Sequence, residues 1–214
     1  MCTVTIVPDD GRWPGQPRVR VVCNRDERRS RPRAEAAQIR DIGGVQAVYP
    51  VDPPSKGTWI AGNESGLIFS LLNRSVTDAS ANVKALPSRG GIIVGLLDAE
   101  SIEEIADRSD RIASVGYAPF RLVVVGPAVL ELIWDGVTMV DVWHDLSGPM
   151  LFTSSSLGDE RVHEPRLRLF ESMIGQGNWD QRWQDAFHQH LWPGQEEISV
   201  MMERADARTV STTV

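Results

Sequence analysis

Three strand-like runs near the middle of the chain follow one another with only short turns between them. They are Phe120–Gly126, Val129–Trp134 and Met139–Trp143, joined by Gly126-Pro127 and Asp135-Gly136. Turns of this length force neighbouring strands to be antiparallel, because a parallel pair needs a crossover of about a dozen residues or more. This meander excludes an alternating βαβ arrangement for this part of the chain.

The rest of the pattern agrees with an α+β fold. Strand pairs are predicted at Thr3–Val7 with Arg18–Cys23, at Gly57–Asn63 with Gly66–Arg74, and at Ile198–Met202 with Thr209–Val214. Helices are predicted from the capping box Ser101-Ile102-Glu103-Glu104 onward and over Arg161–Ile174 and Trp179–Leu191. The proline- and glycine-rich residues 28–56 are expected to be irregular and to act as a lid. We predict a single domain, residues 1–214, of antiparallel sheets with helices packed outside them.

Composition argues against several classes of protein. The net charge of −7 gives no support for binding nucleic acid through the whole surface. No apolar run approaches the roughly 20 residues of a membrane-spanning helix, so a membrane-spanning protein is not expected. Two cysteines and the lack of a signal-peptide pattern favour a cytoplasmic protein. His188 and His190 do not share a helix face and have no cysteine or acidic partner, so we expect no metal ion and no cofactor.

The amino-terminal strand pair brings chemically useful residues together. If Val7 faces Arg18, paired residue numbers sum to about 25, which places Cys2 opposite Cys23 with Asn24-Arg25-Asp26 beside it. Removal of Met1 would leave a thiol and a free α-amino group on Cys2, which can then serve as nucleophile and general base. Two plainer interpretations stay open: Cys2 is an ordinary strand residue, and the tetrad after Cys23 only stabilises the end of a hairpin.

Several motifs also match a known family, and they cover nearly the whole chain. They are Met1-Cys2-Thr3, Asn24-Arg25-Asp26-Glu27, Gly57-Thr58-Trp59, Asn63-Glu64-Ser65-Gly66, Leu72-Asn73-Arg74, Thr153–Gly158 and Ser199–Ser211. In these motifs the chain resembles the NRDE family, also called the transport and Golgi organisation 2 family. That family is similar in turn to the amino-terminal-nucleophile hydrolases. The resemblance implies an αββα sandwich, in which two mainly antiparallel sheets lie between helix layers.

The same resemblance implies roles for individual residues. Cys2 corresponds to the nucleophile, Arg25 and Asp26 to the charged residues beside it, and Asn73 to an oxyanion-hole donor. Ser154 stands where those hydrolases usually carry an asparagine. Other motif positions are expected to line the binding site: Asn24, Glu27, Trp59, Asn63, Ser154 and Arg204.

Two further questions arise from the motifs. The hydrolases carry a late arginine, for which Arg166, Arg204 and Arg208 compete here. Arg25 and Asp26 are adjacent, so on an extended strand they would point to opposite faces. One of these two residues would then have a structural role.

Two functions follow from the resemblance. The first is a cysteine hydrolase that acts on an amide or thioester of an acylated small molecule through a Cys2 acyl-enzyme. The second is a non-catalytic carrier of haem, a tetrapyrrole, or of an acyl-CoA or lipid ligand. In the carrier, the arginines between Arg25 and Arg33 would meet carboxylates or phosphates.

Overall fold

The structure of the chain is a computed structural model that describes residues 2–8, 19–75, 86–175, 177 and 179–214. It divides into two compact units, Met1–Arg31 with Leu146–Val214, and Pro32–Asp145. Each unit contains one antiparallel sheet with its own helices, so the predicted α+β class is confirmed. That the whole chain behaves as a single domain stays a prediction.

The strands are numbered in chain order: β1 Cys2–Pro8, β2 Val19–Arg28, β3 Glu35–Ile42, β4 Val45–Val51, β5 Ile60–Asn63, β6 Ile68–Asn73, β7 Phe120–Val125, β8 Val129–Trp134, β9 Met139–His144, β10 Met150–Thr153 and β11 Ala207–Thr213. The helices are α1 Gly90–Val94, α2 Ile102–Asp107, α3 Ser109–Ser114, α4 Asp159–Phe170 and α5 Gln181–His188. A π-helical turn, Glu171–Gly175, continues α4.

The first unit has a four-stranded sheet in the order β10-β1-β2-β11, with β1 inside the sheet. Side chains alternate along β1, so Thr3, Thr5 and Val7 share one face. Helices α4 and α5 pack on this face, where Val7 joins an apolar cluster with Phe170 and Phe187. The opposite face carries Cys2 and the buried residues Val4 and Ile6.

The predicted register of the β1–β2 pair is wrong by two residues. Cys2 lies opposite Arg25, and Cys23 lies opposite Val4. A shift of two residues leaves every side chain on the same face, so the hydrophobic pattern cannot detect it. The connection that would fix the register, residues 9–18, lies outside the described residues.

The second unit has a seven-stranded sheet in which β3 to β9 follow each other in chain order. The meander predicted from Phe120 onward is confirmed as β7, β8 and β9. One face of the sheet forms an apolar core that takes in Phe69 and Phe120 of the strands and Ile93 and Ile105 of the helices. The Ser101 cap is present, because its hydroxyl accepts from the Glu104 amide at 3.2 Å, whereas the Glu104 carboxylate accepts from the Glu100 amide at 3.0 Å. The helical segment after it breaks at Arg108 into two short helices.

The prediction of an irregular segment at residues 28–56 is wrong. Most of it forms the β3–β4 hairpin, which turns at Gly43-Gly44 with both glycines at positive φ. Such a turn fits a right-twisted hairpin, so these glycines mark a tight turn between two strands and not an irregular loop. The mostly exposed side chains of β3 also hide the alternation that usually reveals a strand.

The predicted closing hairpin is also wrong in part. Strand β11 is present, but it pairs with β2 rather than with Ile198–Met202. The preceding segment approaches it only through a Glu203–Arg208 bridge and a few backbone hydrogen bonds. The strand that pairs with β11 is therefore β2, which lies far away in sequence and which the local pattern could not indicate.

Candidate active site

Cys2 begins a strand that is hydrogen-bonded on both edges, between β10 and β2. Two hydrogen bonds connect it to Ser154, just beyond β10. The Cys2 amide donates to the Ser154 hydroxyl at 3.1 Å, and the Ser154 amide donates to the Cys2 carbonyl at 3.0 Å. Cys2 is 4% exposed. Its nitrogen and its thiol are thus held in a buried and well-defined position.

The Cys2 thiol has a second thiol as its neighbour. Cys2 and Cys23 are diagonal neighbours on one face of the β1–β2 pair, so their side chains lie next to each other. The hydrogen bond from Cys23 lowers the pKa of Cys2 below its ordinary value, although burial opposes the shift. The same hydrogen bond, together with burial, raises the pKa of Cys23. Cys2 is therefore the thiol of this pair that ionises first.

The tetrad Asn24-Arg25-Asp26-Glu27 lies within β2 rather than in a turn after it. Its side chains alternate, so Arg25 and Glu27 share the face of Cys2. Asn24 and Asp26 share the opposite face, which carries α4 and α5. The expectation that Arg25 and Asp26 point to opposite faces is confirmed.

Asn24 connects three parts of the first unit. Its amide group donates to the carbonyls of His188 and Val200 at 2.8 and 3.1 Å. Its carbonyl accepts from the Thr212 hydroxyl at 2.8 Å. Because Asn24 is fully buried, these bonds satisfy groups that water does not reach. The contacts give Asn24 a structural role, and its predicted binding role stays a prediction.

Asp26 is a buried carboxyl on the same face. It is 2% exposed and accepts a hydrogen bond from the Thr209 hydroxyl at 2.6 Å. Burial raises the pKa of Asp26, and the charges of Arg166 and Arg204 oppose this shift without reversing it. Its charge also disfavours the Cys2 thiolate. Asp26 therefore acts on Cys2 electrostatically from the far side of the sheet.

Arg25 supplies positive charge on the face of the nucleophile. It lies directly opposite Cys2, and its guanidinium contacts the Glu27 carboxylate at 3.3 Å. Arg31 reaches the same carboxylate oxygen at 3.4 Å. Two arginines thus contact one carboxylate on this face, and the charge of Arg25 lowers the pKa of Cys2.

The three candidate late arginines have different environments. Arg166 of α4 is fully buried and donates to the Thr3 hydroxyl at 2.8 Å and to the Ser199 carbonyl at 2.7 Å. Burial lowers the pKa of Arg166 to about 10. Arg204 is half-buried and donates to the hydroxyls of Ser155 and Ser156, next to Ser154. Arg208 is exposed. Among the three candidates, Arg166 is thus the arginine that contacts β1 directly, through Thr3.

Sequence reasoning missed a layer of polar residues under β1. Gln184 and His188 of α5 both reach the Thr5 hydroxyl, at 2.8 and 2.7 Å. His188 is buried, which lowers its pKa to about 3, so it is neutral near pH 7. The alternating hydroxyls of Thr3 and Thr5 were a visible signal, since polar residues on one buried strand face need hydrogen-bond partners.

Three predicted site residues belong to the second unit. Asn63 donates to the carbonyls of Leu97 and Ala99 and accepts from the Leu67 amide, so it holds the β5–β6 hairpin to the segment before α2. Trp59 is buried. Asn73 ends β6 opposite Phe120 and is exposed. Their parts in the site stay predictions.

The comparison with protein families decides the identity of the chain. The family model for transport and Golgi organisation 2 matches residues 1–159. The chain belongs to the transport and Golgi organisation 2 family. Its matched part contains Cys2, the β2 tetrad and Ser154. A search of curated proteins gives no match.

This member of the transport and Golgi organisation 2 family shares its fold with an amidase whose structure is solved. A Caenorhabditis elegans N-acylethanolamine-hydrolyzing acid amidase ortholog aligns over 98% of this chain and 100% of its own, with a TM-score of 0.61 and 11% identity. Penicillin V acylase from Agrobacterium tumefaciens aligns over 82% of this chain with a TM-score of 0.44 and 13% identity. The chain spans 58% of that acylase. No helix among the described residues is long and apolar enough to cross a membrane.

Proposed function

We propose that the protein is a cysteine hydrolase that cleaves an amide or thioester of an acylated small molecule. The observation that carries this proposal is the position of Cys2. Its nitrogen hydrogen-bonds to the Ser154 hydroxyl, and Arg25 is its partner on the neighbouring strand β2. A hydrolase of this kind needs a nucleophile, a base on the same residue and positive charge nearby. The likeness in fold to an amidase is consistent with this function but does not assign it.

The mechanism begins with removal of Met1, which turns the nitrogen of Cys2 into an α-amino group. A free α-amine has a pKa of about 7.7–8.0, so its neutral form can take the thiol proton near neutral pH. The Ser154 hydroxyl, 3.1 Å from this nitrogen, would orient it. The thiolate then attacks the substrate carbonyl carbon and forms a C–S bond.

The tetrahedral intermediate collapses when the bond to the leaving group breaks. The ammonium group of Cys2 returns its proton to the departing amine or thiol, and a covalent acyl-enzyme remains. The same α-amine then takes a proton from water, whose oxygen attacks the acyl carbon and releases the carboxylic acid and the Cys2 thiol. Arg25 would favour the thiolate and orient the substrate, and Asn73 is proposed as an oxyanion donor.

Intact mass of the purified protein is the first test, because the mechanism requires that Met1 be absent. The second test incubates the protein with a panel of fatty-acyl amides and thioesters and looks for an acyl group on Cys2. We expect Cys2→Ala to lose both labelling and turnover. Retention of Met1 in all molecules, or full turnover by Cys2→Ala, would contradict the proposal.

Arg25 and Arg28 provide a matched pair for testing the charge beside Cys2. Both arginines are on β2, but Arg28 is exposed and lies on the other face. Arg25→Ala should slow labelling of Cys2 and shift its pH dependence upward, because the thiolate loses a favourable charge. Arg28→Ala should leave both unchanged. Equal behaviour of the two variants would remove Arg25 from the mechanism.

A non-catalytic carrier is the second candidate, and the exposed arginines favour it. Arg28 and Arg29 are exposed at and just beyond the end of β2, where anionic groups of haem or acyl-CoA would bind, with Arg29 also paired to Glu203. Saturable binding of either ligand that survives Cys2→Ala and is lost in Arg25→Ala would support a carrier. Absence of binding to both ligands would eliminate it.

A further inference from the structure

The chain contains two cysteines, and the structure places them side by side. Cys2 is 4% exposed, Cys23 is fully buried, and neither forms a disulfide. They belong to neighbouring antiparallel strands on the same face of the sheet. Since only Cys2 is used as a nucleophile, the proposed hydrolase leaves the position of Cys23 unexplained.

The register of β1 against β2 places the two cysteines close together but not directly opposite each other. Arg25 is directly opposite Cys2, and Cys23 lies two residues along β2, at the diagonal position. Diagonal neighbours have Cα atoms about 7–8 Å apart. A disulfide usually requires about 4.4–6.8 Å. A bond between the two sulfurs therefore needs a small displacement of the start of β1.

That displacement would be resisted by the two hydrogen bonds between Cys2 and Ser154. A disulfide formed against such resistance is strained, and strained disulfides are reduced more easily than relaxed ones. The geometry thus favours a bond that forms and breaks over a permanent structural bridge.

The chemistry of the two thiols is unequal in a way that suits oxidation. Cys2 has the lowered pKa and the small remaining exposure, so it is the thiol that reacts first with an oxidant. Cys23 has a raised pKa and so keeps its proton, and it lies at the diagonal position beside Cys2, where a resolving cysteine would stand. An oxidisable thiolate beside a resolving cysteine is the arrangement found in redox-sensing proteins.

We propose that Cys2 and Cys23 are a redox modification site, at which a peroxide drives formation of a reversible disulfide. The Cys2 thiolate attacks one oxygen of the peroxide, the O–O bond breaks, and Cys2 becomes a sulfenic acid as the other oxygen leaves as water or an alcohol. The Cys23 sulfur then attacks the Cys2 sulfur, the S–O bond breaks, and the hydroxyl group leaves as water with the proton of the Cys23 thiol. Both sulfurs are oxidised and the peroxide is reduced.

This inference goes beyond the proposed hydrolase and does not depend on it. The Cys2 thiol is present whether Met1 is kept or removed, and the reaction needs no acyl substrate. If the protein is also a hydrolase, the disulfide blocks its nucleophile and protects it from irreversible oxidation. The two proposals can therefore fail separately.

The experiment treats the reduced protein with hydrogen peroxide and measures its mass and its peptides. We expect the protein to lose the mass of two hydrogen atoms and both cysteines to stop reacting with a maleimide. Trypsin cleaves after Arg12, Arg20 and Arg25, so the bond would link a peptide ending at Arg12 to Val21–Arg25. Dithiothreitol should separate these peptides and restore both thiols.

Two variants complete the test. In Cys23→Ser, and in Cys23→Ala if the serine impairs folding, Cys2 should proceed to sulfinic acid that dithiothreitol does not reverse. In Cys2→Ser, Cys23 should remain a thiol under the same treatment. The proposal is overturned if the wild-type protein forms sulfinic acid at Cys2 as fast as Cys23→Ser, forms only intermolecular disulfides, or keeps both thiols.

Discussion

Replacement of Asn24 by alanine should destabilise the protein strongly. The variant removes an amide that donates to two carbonyls, those of His188 and Val200, in a position that is fully buried. A buried polar group left without its partner costs about 1–3 kcal/mol. Two such carbonyls imply a loss of about 4 kcal/mol in the free energy of unfolding. The lost bond to Thr212 adds less, because Thr212 is exposed and water can replace Asn24 there.

Urea unfolding followed by tryptophan fluorescence measures this loss, since the chain has seven tryptophans. Asn63→Ala is a matched control, because Asn63 also donates to two carbonyls and accepts one backbone amide. Asn63 is only half-buried, so water can reach its former partners and the loss should be about half as large. The reasoning is refuted if Asn24→Ala costs under about 1 kcal/mol, or no more than Asn63→Ala.

Three further predictions concern titration and close packing. His188 has a pKa of about 3 in the folded protein against 6.5 in the unfolded chain. The wild-type protein should therefore lose up to about 1.4 kcal/mol of unfolding free energy per pH unit as pH falls below 6.5. In urea unfolding at several pH values, His188→Asn should lose less stability per pH unit than wild type. Burial raises the pKa of Asp26, so its ionisation costs stability as pH rises through that pKa. In the same assay, Asp26→Asn should be more stable than wild type at pH 7. Below pH 3.8, the ordinary pKa of the group, the unfolding free energies of the two proteins should converge. A Cβ on Gly57 would lie 2.3 Å from the backbone of Gly90, so Gly57→Ala should lower the melting temperature. A Cβ on Gly91 would have no atom within 4 Å, so Gly91→Ala should change the melting temperature little.

The parts of the fold that could be predicted are those fixed by local pattern. The β7–β9 meander follows from alternation and short turns, which need no knowledge of distant residues. The partner of β11 could not be predicted in this way, because β2 lies far away in sequence and any free strand edge satisfies the same hydrogen bonds. The register of β1 against β2 depends on turn geometry, which composition does not reveal.

The candidate site divides along similar lines. Cys2, Arg25 and Asp26 could be named because they lie in a recognisable motif, and strand alternation correctly separates Arg25 from Asp26. Gln184 and His188 could not, because they reach Thr5 from a helix that is remote in sequence. Cys23 was predicted directly opposite Cys2 and lies instead at the diagonal position, because its exact position depends on the register.

The enclosure of Cys2 bears on when the protein could mature. The nitrogen that joins Cys2 to Met1 lies in a buried strand and is engaged by Ser154. An aminopeptidase must hold that peptide bond in its own active site, which a folded β1 does not offer. Removal of Met1 would then have to occur during translation, before β10 and β2 pair with β1. If the proposed hydrolase is correct, chains that escape it at that stage would fold with a blocked amine, so the active fraction of a preparation would be set during translation and would not rise on storage.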